Sequence, residues 1–193
     1  MDLTQGSFQE KNNRAKKSMM LFAMISMFMT FAGLTSAYIV SSERDDWIRN
    51  FEFPSAFYIS LVIIVFSSVC FFLFKKNTIS GNHKLATVFF VSTFIAAIAF
   101  VFLQFKGFGE IVAQGYYPTG SESTINTSFI YAIVFVHLLH IFGGIVVLLI
   151  VGIKHFKKMY SKQDHLGVDL AGMYWHFVDA LWIYLFCFLL FTR

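Results

Sequence analysis

Five long apolar runs constrain this chain more than any other feature it has. They cover about Ser18–Ser42, Phe53–Phe74, Leu85–Phe105, Asn126–Ile153 and Asp169–Thr192. Roughly 20 consecutive apolar residues suffice for a helix to cross a bilayer, and each run meets that length. Composition agrees: 57% of the 193 residues are hydrophobic, 13% are charged, and 26 are phenylalanine. So many phenylalanines exceed what one water-soluble core needs, but they suit helices facing lipid on one side and each other on the other. The expectation is an all-α, multi-pass membrane bundle of five transmembrane helices forming a single membrane domain over residues 1–193.

The connections are short and polar. Residues 1–17 carry Lys11, Arg14, Lys16 and Lys17 ahead of a run too long for a cleavable signal, and read as a cytoplasmic anchor. Trp47 sits in the first loop, where interfacial aromatics are common. Residues 106–125 hold Gly107, Gly109, Gly115, Pro118 and Gly120, and read as a turn-rich surface loop. Alternate connections differ in charge. Lys11, Arg14, Lys16, Lys17, Lys75, Lys76, Lys84, Lys154, Lys157, Lys158 and Lys162 fall on one side, against Arg44, Arg49, Lys106 and Arg193 on the other. Because basic loops stay in the cytoplasm, the N-terminus is expected inside and the C-terminus outside. The basic residues form short clusters between apolar runs, so no nucleic-acid surface is indicated. Cys70 and Cys187 stand alone, which suggests neither a disulfide framework nor a thiolate metal site.

Polar residues inside the spans carry the functional question. Tyr174-Trp175-His176-Phe177-Val178-Asp179 places a histidine and a carboxylate three residues apart, on one helical face. A charged aspartate at mid-bilayer costs at least ~2.5–3.5 kcal/mol, so a compensating environment is required. The fourth span adds His137 and His140, and Asp169 stands near the start of the fifth. Counting inward from each end puts His140 and Asp179 at similar depth on antiparallel helices. Gly143, Gly144 and Gly172 lie about one turn away, and small residues let helices approach closely.

Four readings of these residues compete. A structural clasp would join His176 to Asp179 by a hydrogen bond, with the fourth helix packed nearby. A metal site would draw ligands from His137, His140, His176 and Asp179. A di-histidine haem site needs a porphyrin-sized gap that the glycines argue against. A proton relay needs a chain of groups toward both surfaces, which the sequence does not display. The five methionines Met19, Met20, Met24, Met27 and Met29 read as adaptable packing, since no His or Cys accompanies them. Phosphate-binding loops, Gly-x-Ser-x-Gly and His-Glu-x-x-His are absent from the sequence.

Motif order carries the reading further. Tyr174-Trp175-His176-Phe177-Val178-Asp179, with Trp182 following, resembles the last-helix signature of subunit III of the haem–copper oxidases. Val136-His137-Leu138-Leu139-His140-Ile141-Phe142-Gly143 is similar to that family's penultimate-helix pattern, Phe-His-Gly-Leu-His followed by apolar residues and glycine. Asn126-Thr127-Ser128-Phe129 resembles the start of that helix, Leu103-Gln104 the end of the one before, and Ser26 with Phe31-Ala32-Gly33 an earlier Ser-Glu-x-x-x-x-Ala-Gly helix.

The resemblance implies a subunit with no haem and no copper of its own, those cofactors residing in partner subunits. Such a subunit packs beside catalytic subunit I in a complex with subunit II, holds phospholipid in a cleft between helix groups, and supports proton uptake and durable turnover. The implied setting is a bacterial cytoplasmic membrane, with contacts to other respiratory complexes in reach. On this reading His137, His140, Asp169, Trp175, His176 and Asp179 form a cluster for helix packing or for lining the lipid cleft. Both cytochrome c oxidases and quinol oxidases use the short five-helix form. Two acidic positions of the family pattern are lost here, one to Met27 and one to Gly107, and Asp169 stands for a glutamate. A small transporter subunit is the competing class; transporters show inverted repeats or broken helices, and neither is evident.

Overall fold

The computed structural model describes residues 7–44, 47, 52–120, 123–160 and 165–192. Arg49, Lys162 and Arg193, which enter the charge comparison above, lie outside the described residues. Five helices make up the regular structure: α1 (Phe8–Ser41), α2 (Ser55–Ile79), α3 (His83–Ala113), α4 (Ile125–Phe156) and α5 (Leu166–Phe191). All five are long and apolar enough to cross a membrane, and no strand occurs among the described residues.

Two helices run well past their apolar runs, for identifiable reasons. α1 starts at Phe8, ten residues before Ser18, because Ser7 and Glu10 cap each other's backbone N–H at 3.3 and 3.0 Å. This reciprocal cap satisfies two donors that a helix start otherwise leaves open. The basic residues Lys11 to Lys17 therefore stand on the same rod as the span. α3 continues to Ala113, so Gly107 and Gly109 are helical and not part of the loop expected for 106–125. A side chain at Gly107 would collide with the Phe57 ring, so the bare backbone is what lets α2 lie against α3 there.

The extension of α3 also has a capping role. Pro54 begins α2 and offers no side-chain acceptor. Glu110 of α3 takes over, accepting from Ser55 Oγ at 3.2 Å and from the Ala56 N–H at 3.3 Å. A carboxylate at a helix N-terminus meets both the open donors and the positive end of the dipole. The α3–α4 connection shrinks to residues 114–124, with Gly115 and Gly120 at φ 88° and 104°, where other residues are strained.

α2 and α3 form a tight antiparallel hairpin. α5 packs against α1, α2 and α4, while α1 packs against α4 and α5. Among the described residues the backbones of α1 and α2 do not approach each other, so α5 lies between them. Phe31, Tyr38, Phe57, Phe71, Phe74, Phe100, Trp175 and Trp182 are fully enclosed. α1 buries only Met24, Phe31, Thr35 and Tyr38, a single stripe along one face. Tyr38 receives Trp47 edge-on at 4.8 Å, which takes that tryptophan into the core. Lipid tails are as apolar as these side chains, so the bundle is held by close packing and interhelical hydrogen bonds more than by exclusion of water.

Candidate functional site

A seam of polar side chains runs along α5 where it meets α1, α2 and α4. At the start of α5, Asp169 bridges two helices whose backbones do not approach each other. Its carboxylate meets Lys17 of α1 at 3.0 Å and Lys75 of α2 at 2.8 Å, and His165 Nε2 lies 3.9 Å away. Both lysines are partly exposed, at 46% and 38%, so each pair is screened and individually modest. Their value is positional: one anion fixes the polar ends of three helices together.

Two turns deeper, consecutive residues of α5 pair with consecutive residues of α2. The Trp175 indole N–H donates to Ser67 Oγ at 3.1 Å, and His176 Nδ1 shares a 2.6 Å hydrogen bond with Ser68 Oγ. Phe71 sits edge-on to the His176 ring at 5.8 Å and also fills the space beside Gly172. On the other side, Tyr174 donates to the His140 backbone carbonyl at 2.8 Å. A Cβ placed at Gly144 would lie 2.9 Å from the Trp175 ring, so that glycine sets the α4–α5 spacing.

The expected bond between His176 and Asp179 is absent. His176 is half-buried and turned to α2, whereas Asp179 is buried in the core and neither of its oxygens meets a hydrogen-bond donor. Residues three apart on a helix share a face but still diverge by ~60° about the axis. At this position that divergence separates the edge of the seam from its interior. Ser68, whose hydroxyl is bonded to His176, is the polar side chain beside Asp179.

The two histidines of α4 are also used differently. His140 Nδ1 lies 2.7 Å from the Val136 carbonyl, an intrahelical bond that ties up that nitrogen. His137 is fully buried, stacked on Trp182 at 5.1 Å and flanked edge-on by Phe31 and Phe100. Neither of its nitrogens has a hydrogen-bond partner. Aromatic rings from α1, α3 and α5 thus occupy the space around His137 that a porphyrin would need. Among the described residues, no three His, Cys, Asp or Glu side chains converge closely enough to hold a metal ion.

Further polar pairs between helices were not among the expected site residues. Gln104 Nε2 donates to Ser60 Oγ at 3.0 Å, and Tyr38 donates to Asn126 Oδ1 at 2.8 Å. Thr35 Oγ1 lies 3.1 Å from Tyr184 Oη. The one signal for Ser60, Ser67 and Ser68 was their polarity in an otherwise apolar second span.

Fold and seam together define a multi-pass membrane protein whose interior polar groups join helix to helix. The family model described as cytochrome c oxidase subunit III matches residues 4–192, and the chain belongs to that family. A cytochrome c oxidase subunit 3 from Thermostichus vulcanus is 29% identical over 177 residues, covering 86% of this chain and 82% of the relative. The Anopheles gambiae protein of the same name is 34% identical over 109 residues, 55% of this chain and 38% of the relative. That of Glycine max is 34% identical over 108 residues, with 56% and 38% covered. The chain thus spans well under half the length of several curated relatives it matches.

Proposed function

We propose that this chain is the accessory, non-catalytic subunit III of a haem–copper terminal oxidase in a bacterial cytoplasmic membrane. It packs beside subunit I in a complex with subunit II, and supports proton uptake and lasting turnover by the catalytic subunit during aerobic respiration. Haem and copper belong to the partner subunits, and phospholipid to the surface between helix groups. The observation that carries this reading is the family match over residues 4–192, with the motif residues of α4 and α5 at the helix contacts of the seam. The relatives' shared name, cytochrome c oxidase, favours a cytochrome c oxidase over a quinol oxidase.

In this reading His137, His140, Asp169, Trp175, His176 and Asp179 act by positioning helices. Asp169 anchors α1 and α2 to α5, Trp175 and His176 lock α5 to α2, and the α4 histidines seat α4 against its neighbours. The test is gentle purification of the tagged chain from its native membrane, followed by a reduced-minus-oxidised spectrum. Co-elution of a haem–copper oxidase is expected. A colourless protein that elutes alone and moves a solute in vesicles would overturn the assignment in favour of a transporter subunit.

A further inference from the structure

Trp175 and Trp182 stand about two turns apart on one face of α5, and both are enclosed by the bundle. Their indole N–H groups fare differently. That of Trp175 donates to Ser67 of α2 at 3.1 Å, whereas that of Trp182 meets no acceptor among the described residues. Phe57 and Phe71 of α2 lie against Trp182 and His176 respectively, so α2 and α5 run antiparallel. The hydroxyl in register with Trp182 is therefore seven residues before Ser67, at Ser60. Ser60 is already engaged: it donates to the Phe57 carbonyl at 2.8 Å and accepts from Gln104 Nε2 at 3.0 Å.

Three other buried side chains near Trp182 also carry polar atoms without a protein partner among the described residues. His137 of α4 stacks on the Trp182 ring at 5.1 Å, with both nitrogens unbonded. Phe100 of α3 is edge-on to Trp182 at 5.4 Å and to His137 at 6.0 Å. Gln104, one turn further along α3, has its Oε1 unbonded. Asp179, one turn before Trp182 on α5, has both oxygens unbonded, and the Ser68 hydroxyl beside it is shared with His176. Buried polar groups are nearly always paired, either with protein or with ordered water.

The signs of these groups select the ligand. The Trp182 indole can only donate, and Gln104 Oε1 and the Asp179 carboxylate oxygens accept. An uncharged imidazole such as His137 offers one donor and one acceptor. A bare cation would face the Trp182 N–H, and a bare anion would face Gln104 Oε1 and Asp179. A small molecule that both donates and accepts suits the whole set. We propose that the bundle interior binds ordered water among Trp182, Gln104, His137 and Asp179. A buried water typically makes about three hydrogen bonds, so about two molecules satisfy these six atoms. The backbones of α3 and α5 do not approach each other among the described residues, so this water is a polar link between them. The same helix thus has a dry joint at Trp175 and a wet one at Trp182. The proposal rests on the membrane-spanning fold and not on the oxidase assignment.

Radiolytic footprinting in 18O-labelled water tests this, because hydroxyl radicals born at a bound water oxidise the side chains beside it. The full-length protein is taken from its native membrane with whatever co-purifies, equilibrated in the labelled water, pulsed with X-rays and mapped by mass spectrometry. Trp175 is the internal control, with the same chemistry on the same helix at matching burial. Trp182 should gain 18O several-fold above Trp175. Gln104→Leu, which removes one acceptor and frees Ser60 to receive the Trp182 N–H, should bring Trp182 down toward the Trp175 level. Equal labelling of the two tryptophans, whether both are silent or both reactive, would overturn the proposal, and this comparison needs no variant. Labelling of Trp182 that Gln104→Leu leaves unchanged in a folded protein would overturn it as well.

Discussion

Tyr38 of α1 donates a 2.8 Å hydrogen bond to Asn126 Oδ1 at the first turn of α4, and both side chains are completely buried. The bond ties α1, which buries little else, to the core near one membrane face. Tyr38→Phe leaves the Asn126 carbonyl oxygen without this donor. In membrane bundles such bonds are worth about 0.6 kcal/mol on average, up to ~1.7. Unfolding in mixed micelles should show a loss of that size for Tyr38→Phe. The loss should shrink when Asn126→Leu is already present, since the two changes remove the same bond. Purely additive losses would show that the contact contributes nothing.

Gly144 and Gly33 should respond oppositely to alanine. At Gly144 the new methyl meets the Trp175 ring at 2.9 Å, and that indole is pinned by Ser67. Overpacking of this kind costs ~1–3 kcal/mol. At Gly33 an added methyl would find no neighbour within 4 Å, and a mid-helix glycine gives up ~0.5–1 kcal/mol relative to alanine. Gly144→Ala should lower the unfolding midpoint and Gly33→Ala should raise it. A matching response at both sites would mean that the α4–α5 spacing is not set by Gly144.

Asp169→Asn leaves Lys17 and Lys75 facing each other without the anion they share. The effect should be a loosening of α1 and α2 from α5, of order 1 kcal/mol given how exposed both lysines are. Salt should narrow the gap between wild type and variant, because exposed charges are screened over ~10 Å at 0.1 M. Unfolding curves at low and high ionic strength measure this directly. A gap that salt does not change would point to lost packing instead of lost charge.

The seam distinguishes the partners of His176. A double-mutant cycle of Ser68→Ala with His176→Phe should return a coupling of ~0.6–1.7 kcal/mol, the range for membrane hydrogen bonds. The cycle of His176→Phe with Asp179→Asn should return a smaller coupling, because no bond joins those two side chains. The reverse ranking would restore the intrahelical pair.

We propose from the charge pattern that the N-terminus lies inside, and reporter fusions test it. Fusions after Lys84 and Lys158 should read as cytoplasmic, and fusions after Asp46 and Ser121, two positions outside the described residues, as external. The motivation is the concentration of lysines on alternate connections. Inverted reporters would overturn both the orientation and the proposed arrangement beside subunit I.

The sequence by itself determined the number and order of the helices. Long uncharged runs such as Leu85–Phe105 have no other stable state in a bilayer. It also marked where helices would come close, since Gly144 and Gly172 sit against Trp175 and Phe71. The early start of α1 went unread, although Ser7 and Glu10 carry the spacing of a reciprocal cap. Partners across helices were decided only by the tertiary structure. Lys17 reaches Asp169 from 152 residues away, and Ser68 reaches His176 from 108. Spacing along one helix fixes which residues share a face, but the rotation of each helix about its axis is set by how all five pack. That rotation turned His176 toward Ser68, sent Asp179 into the core, and carried α3 through two glycines so that Glu110 could cap α2.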